Sequence, residues 1–161
     1  MREADDMATS GHCLCGAIQY EYDAEPRLVA HCHCESCRRQ TSSPVATFVI
    51  VPRAALRITR GQPKEFASSA GVWRSFCADC GSPVSYRTDR RPDVIDLFAG
   101  SLADPSSLLP QCHVHAAEQL PWFEVLDELP RYAGSRLADE PLRRGPRGRE
   151  LEPQMNADER R

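Results

Sequence analysis

Between residues 18 and 99 the chain is a series of short apolar stretches separated by turn residues. Residues 18–22 (IQYEY) alternate apolar and polar, the pattern of a half-buried strand. Glu25-Pro26 marks a turn, and residues 27–31 (RLVAH) predict a strand leading into a run of histidines and cysteines. Residues 35–41 predict a short helical turn that Pro44 ends. Residues 45–51 (VATFVIV) are β-branched and apolar on both faces, which predicts a central strand. Leu56-Arg57-Ile58 alternates again. Residues 73–76 and 82–86 flank CADCG like the arms of a hairpin, and residues 94–99 (VIDLFA) predict another buried strand. There is no long apolar period of 3.6 residues, so the expected fold class is mainly β.

The ends differ from this middle. Residues 1–9 form a polar leader. Residues 135–161 hold seven arginines, six acidic residues, three prolines and no aromatic. Such a polyampholyte buries too little surface to fold alone and is expected to be a disordered tail. Residues 10–134 are then one domain, long enough to bury a core without staples. The net charge of -3 gives no reason to expect nucleic acid or an anionic membrane as a partner. No apolar run approaches the roughly 20 residues of a spanning helix. MREADDMATS lacks the apolar centre of a secretory signal, so a cytoplasmic location is expected.

The cysteines change the picture most. There are eight, placed as Cys13-x-Cys15, Cys32-x-Cys34-x-x-Cys37, Cys77-x-x-Cys80 and a lone Cys112. Neighbours two or three apart are too close for several unstrained bridges but suit thiolates converging on one ion, and a reducing compartment argues the same way. Structural zinc is closed by four protein ligands, whereas catalytic zinc keeps three and leaves a position open. Seven cysteines divide as four plus three. Cys13, Cys15, Cys77 and Cys80 can close one site, with Gly81 after the CADC knuckle where the backbone needs positive φ. Cys32, Cys34 and Cys37 remain for a second, open site. The alternative is that His31, His33, Cys112 or His113 closes it, making both zincs structural.

His12 reads as an exposed strand residue. His31 and His33 share one face of an extended segment, opposite Cys32 and Cys34, so an outer-shell or core role suits them better than ligation of the same ion. His113 and His115 alternate in CHVHA and would line a pocket together. Cys112 reads as a small buried hydrophobe. Arg38 and Arg39 follow the triple, where guanidinium groups would offset a zinc with three thiolates or receive a ligand carboxylate; the competing reading is two solvated surface arginines.

The stretches GHCLCGAIQYEY, HCHCESCRRQTSSP, FCADCGSPVSY and HVHAAEQLPWFEVLDELPRY together resemble the glutathione-dependent formaldehyde-activating enzyme family, also called the GFA or CENP-V domain family. The likeness runs from about Gly11 to Gly134. It implies a β-tent (Mss-four-like) antiparallel fold with zinc knuckles and two zincs per chain. It assigns Cys13, Cys15, Cys77 and Cys80 to a structural zinc, and Cys32, Cys34 and Cys37 to a catalytic one. The implied activity is that of a carbon-sulfur lyase joining glutathione to formaldehyde or another small electrophile, with Arg38, Arg39 and His113 as candidate glutathione contacts. The partners would be a small thiol and an electrophile; a non-enzymatic zinc module binding a protein is the alternative. One departure stands out: where the family often has a glycine after CRR, this chain has Ser42-Ser43-Pro44.

Overall fold

A computed structural model describes residues 8–136 and 141–142. The fold is mainly β, as the alternation predicts. Strands β1 (Thr9–His12), β2 (Gln19–Tyr22) and β5 (Leu56–Arg60) form a small antiparallel sheet in the order β1-β2-β5. The large sheet contains β3 (Leu28–Cys32), β4 (Ala46–Pro52), β6 (Lys64–Ser69), β7 (Val72–Phe76), β8 (Pro83–Thr88), β9 (Val94–Phe98), β10 (Cys112–Val114), β11 (Arg131–Tyr132) and β12 (Pro141–Leu142). Its order is β12-β11-β10-β3-β4-β9-β8-β7-β6. β10 runs parallel to both β3 and β11, and the other pairings are antiparallel. The one α-helix among the described residues, α1 (Glu35–Thr41), joins β3 to β4.

β4 occupies the centre of the large sheet, so the apolar run at residues 45–51 is buried on both faces. Period-two geometry divides its side chains. Val49 and Val51 join Tyr20, Tyr22, Val84, Ile95 and Leu97 in the larger core, together with Cys13 and Cys77. Ala46 and Phe48 point the other way, and with Phe98 they pack around Cys32 and Cys37. Each face of the strand thus seats one cysteine group.

Several strands carry no sequence signal. Every residue of β6 is exposed at the sheet edge, so burial imposes no alternation on it. β10 has three residues, too few for a period, and exists because β3 and β11 flank it. Thr9, placed by sequence in the leader, begins β1. Residues 1–7 of that leader lie outside the described residues. So does most of the expected tail, whose described part comprises Ser135, Arg136 and the backbone of β12, paired with β11.

Gly11 tests the packing of the small sheet. A Cβ there would lie 2.4 Å from Cζ and Oη of Tyr20, whose hydroxyl is also 2.5 Å from Ser101 Oγ in the core. Tyr20 is 1% exposed and has nowhere to retreat. Gly11→Ala is therefore expected to cost about 1–3 kcal/mol by overpacking. At roughly 2–4 °C per kcal/mol for a chain of this size, a thermal melt should show the drop. An unchanged melting temperature would mean that the ring is not fixed.

Candidate metal centres

The first cluster forms where two loops meet. Cys13 and Cys15 lie in the loop between β1 and β2, closed by Cys13 N–H to Ile18 O (3.1 Å) and Gly16 N–H to Cys13 O (3.0 Å). Cys77 and Cys80 lie in the β7–β8 turn, closed by Gly81 N–H to Cys77 O (2.9 Å), with Gly81 at φ 75°. This is the positive φ expected of the knuckle. Ser82 connects the loops. Its hydroxyl accepts the Leu14 N–H (3.1 Å), leaving its own proton for Cys80 Sγ at 3.2 Å.

The four sulfurs lie within 4.8 Å of one another. Cys13 and Cys15 are 3.6 Å apart, and Cys15 and Cys77 3.8 Å. None is in a disulfide. A tetrahedron of sulfurs at the usual zinc–sulfur length has edges of about 3.8 Å, so the group fits zinc as it stands. The Ser82 hydroxyl holds the Cys80 thiol down at about 5. Cys15 receives a backbone N–H from Ala17, but the neighbouring thiols of Cys13 and Cys80 outweigh it and push it up to about 12. The conflict is one of like charges, which a shared dication removes.

The second cluster is local. Cys32 ends β3, Cys34 is the N-cap of α1, and Cys37 lies in the first turn. Cys34 Sγ accepts the Cys37 N–H at 3.3 Å, the usual capping bond with sulfur in place of oxygen. Capping geometry therefore brings these two sulfurs together, and the strand end supplies the third; all lie within 4.8 Å. Among the described residues no further His, Cys, Asp or Glu donor belongs to this group. Hydrogen bonds from Cys32 and Cys37 hold Cys34 down at about 2, whereas Cys32 is forced far up by the same contacts and by burial. Cys37 is favoured by its bond with Cys32, but Cys34 and burial prevail and raise it to about 11. Three thiols this close oppose one another's ionisation, a conflict that a shared cation would relieve.

A cation of the protein also approaches. Arg74, on β7, is buried, with Nη1 4.0 Å from Cys37 Sγ. It donates to Gln40 Oε1 and Ser68 Oγ and lies 5.0 Å over the Tyr86 ring. The sequence points to Arg38 and Arg39 for such a charge. Arg38 donates to the backbone oxygens of His33 and Glu118, and Arg39 pairs with Glu35 on the exposed side of α1. The signal for Arg74 was a charged residue amid the apolar strand VWRSF, but nothing in that strand says which cysteines it faces. α1 ends at Ser42, whose φ of 52° is left-handed. The departure from the family glycine thus falls at a position where glycine is the least strained residue.

His12 is exposed and Cys112 buried, as the sequence suggests. His113 is fully buried, with Nδ1 2.8 Å from His33 Nε2 and Nε2 2.8 Å from Asp127 Oδ2. His115 does not continue the alternation, because β10 stops at Val114 and His115 turns to φ 54°.

Two cysteine clusters seated on opposite faces of one central strand define a mainly β domain with two candidate thiolate metal centres. The chain belongs to the glutathione-dependent formaldehyde-activating enzyme family, whose sequence profile matches residues 8–118. It is 34% identical over 94 residues to an uncharacterized lyase of Schizosaccharomyces pombe, covering 56% of this chain and 68% of that protein. A crystal structure of a Rhodobacter sphaeroides protein shares the fold with a TM-score of 0.52 at 22% identity, over 63% of this chain and 91% of that one.

Proposed function

We propose that the protein is a zinc-dependent carbon-sulfur lyase that handles a thiol adduct, with glutathione as the thiol and formaldehyde or a similar small carbonyl as the electrophile. Zinc in the four-cysteine cluster is structural, and zinc in the three-cysteine cluster is the reactive one. Family membership and the lyase relative support the reaction class. The observation that carries the reading is the triple itself: three converging sulfurs, no fourth donor in the group among the described residues, and a buried guanidinium beside them.

Zinc bound there would supply Lewis acidity, lowering the pKa of an incoming thiol. The protein's part is electrostatic. Arg74 offsets the anionic donor set from a buried position, where a charge acts more strongly than in water. Arg39, exposed on α1, would exchange its bond with Glu35 for a glutathione carboxylate. In the forward direction the sulfur bonds to the carbonyl carbon, the carbonyl π pair moves to oxygen, and the thiol proton ends on that oxygen. The product is the S-hydroxymethyl thioether; the reverse reaction is the lyase direction.

The test is the rate at which zinc-loaded protein forms S-hydroxymethylglutathione, followed by exchange NMR against the spontaneous rate. A rate above background is expected. Arg74→Gln should lower it roughly ten- to a hundredfold, since a hydrogen bond to a charged group contributes about 1.5–3 kcal/mol. No acceleration with glutathione and any small aldehyde would end this reading.

A further inference from the structure

A third group of donors shares no residue with either cysteine cluster. Thr47, His31, His113 and Arg131 occupy one register row across β4, β3, β10 and β11. The rings of His31 and His113 are 4.9 Å apart, and Asp127 reaches the row from the loop before β11. The candidate ligand atoms of His31, His113 and Asp127 lie within 4.8 Å of one another.

We infer that His31, His113 and Asp127 form a third metal site, for a borderline divalent cation such as zinc, nickel, cobalt or ferrous iron. Two imidazoles and one carboxylate suit those ions. The strongest argument is what holds each donor from behind. His31 Nδ1 is 2.8 Å from Thr47 Oγ1, so its Nε2 is left to face the group. His113 Nδ1 is 2.8 Å from His33 Nε2, which leaves Nε2 on the side of Asp127. Asp127 Oδ1 accepts from the Leu129 N–H (3.2 Å) and from Arg131 (3.4 Å), so that Oδ2 faces His113. Metal-binding histidines are oriented in this way, through the ring nitrogen that does not bind. The 2.8 Å between His113 Nε2 and Asp127 Oδ2 is a hydrogen-bond distance; two donors sharing a cation at about 2.1 Å stand about 3.0–3.4 Å apart, so an ion would take the place of the shared proton with a shift of roughly half an ångström.

Arg131 opposes a cation, but it contacts the far oxygen of Asp127 and is held also by Gln119 Oε1 and Val125 O. The Asp127 side chain is 24% exposed, so an ion can enter from solvent. Three protein donors leave the remaining coordination positions to water. The competing explanation is a hydrogen-bonded network that ties the 119–130 loop to the sheet.

The experiment is a cobalt(II) titration of the protein as purified, its metal content measured beforehand. The unmutated chain is expected to take up one further equivalent, with ligand-field bands and no new thiolate-to-cobalt charge transfer. Asp127→Asn, which removes the anionic donor itself, should weaken that equivalent by more than the 10–100-fold typical of an outer-shell change. Thr47→Val, which only releases His31, should weaken it about tenfold, with the cysteine-bound metal unchanged in both variants. Uptake that stops without the extra equivalent overturns the site. So does extra uptake that brings a thiolate band, or that both variants retain at full affinity. Activity is not read, so the outcome is independent of the lyase reading.

Discussion

Cys77→Ser and Cys80→Ser are expected to leave the chain largely unfolded and without its structural metal. Cys13 and Cys15 extend from the small sheet and Cys77 and Cys80 from the large one, and the contacting residues Cys15 and Cys77 are 62 positions apart. An ion held by all four joins two sheets across a long loop, and the closure entropy of that loop is met only while the ion is bound. Cys13 and Cys77 are also members of the larger core. Apparent binding energies for structural zinc are about 10–16 kcal/mol, whereas a domain has about 5–15 kcal/mol of stability in total. Loss of one thiolate forfeits much of the first figure and leaves the remaining like charges crowded. Far-UV circular dichroism, a thermal melt and zinc content measure the result together. A variant that keeps the native spectrum and a cooperative melt would show that the sheets hold without the metal.

The sequence made the two cysteine pairs and the triple legible because each is built from short-range spacing; that the pairs meet, 62 positions apart at Cys15 and Cys77, followed only from the count of ligands a closed site needs. A knuckle lies within one turn, and the C-x-x-C of Cys34 and Cys37 follows from an N-cap and the turn after it. β4 was legible because a centre strand must be apolar on both faces. What remained hidden depends on pairing between distant strands. Arg74 reaches Cys37 only because β7 packs through β8 and β9 to β4. The His31–His113 row needs β10 to insert in parallel beside β3, which no period in CHV announces. Arg38 is next in sequence to the triple, but that its Nη1 donates to the His33 and Glu118 carbonyls depends on where the 115–118 turn comes to lie, which no spacing announces.

Cys34→Ser should behave in the opposite way to the Cys77 variant. The other two sulfurs of the proposed site, Cys32 and Cys37, lie within five positions of one another, so losing that site frees only a short segment of chain. Serine is also a preferred N-cap, so its oxygen can accept the Cys37 N–H that Cys34 Sγ accepts now, and α1 keeps its start. The core that receives Cys32 and Cys37 is built on Ala46, Phe48 and Phe98, and Cys34 packs against it only partly buried. Stability should therefore fall by about 1–3 kcal/mol, the ordinary range for one substitution, and not by the whole of the folding free energy. Function should respond much more. With two thiolates in place of three, the site loses a direct donor, and its metal affinity should drop by more than the 10–100-fold typical of an outer-shell change. The expected variant is folded, carries about one zinc, and neither binds glutathione nor accelerates its addition to formaldehyde. Zinc content, circular dichroism and a glutathione titration on Cys34→Ser and Cys37→Ser, set beside the Cys77 and Cys80 variants, distinguish the cases. Unfolding as complete as at Cys77 would make the triple a structural site and remove the basis of the lyase reading. Glutathione binding equal to that of the unmutated protein would place the thiol somewhere other than this metal.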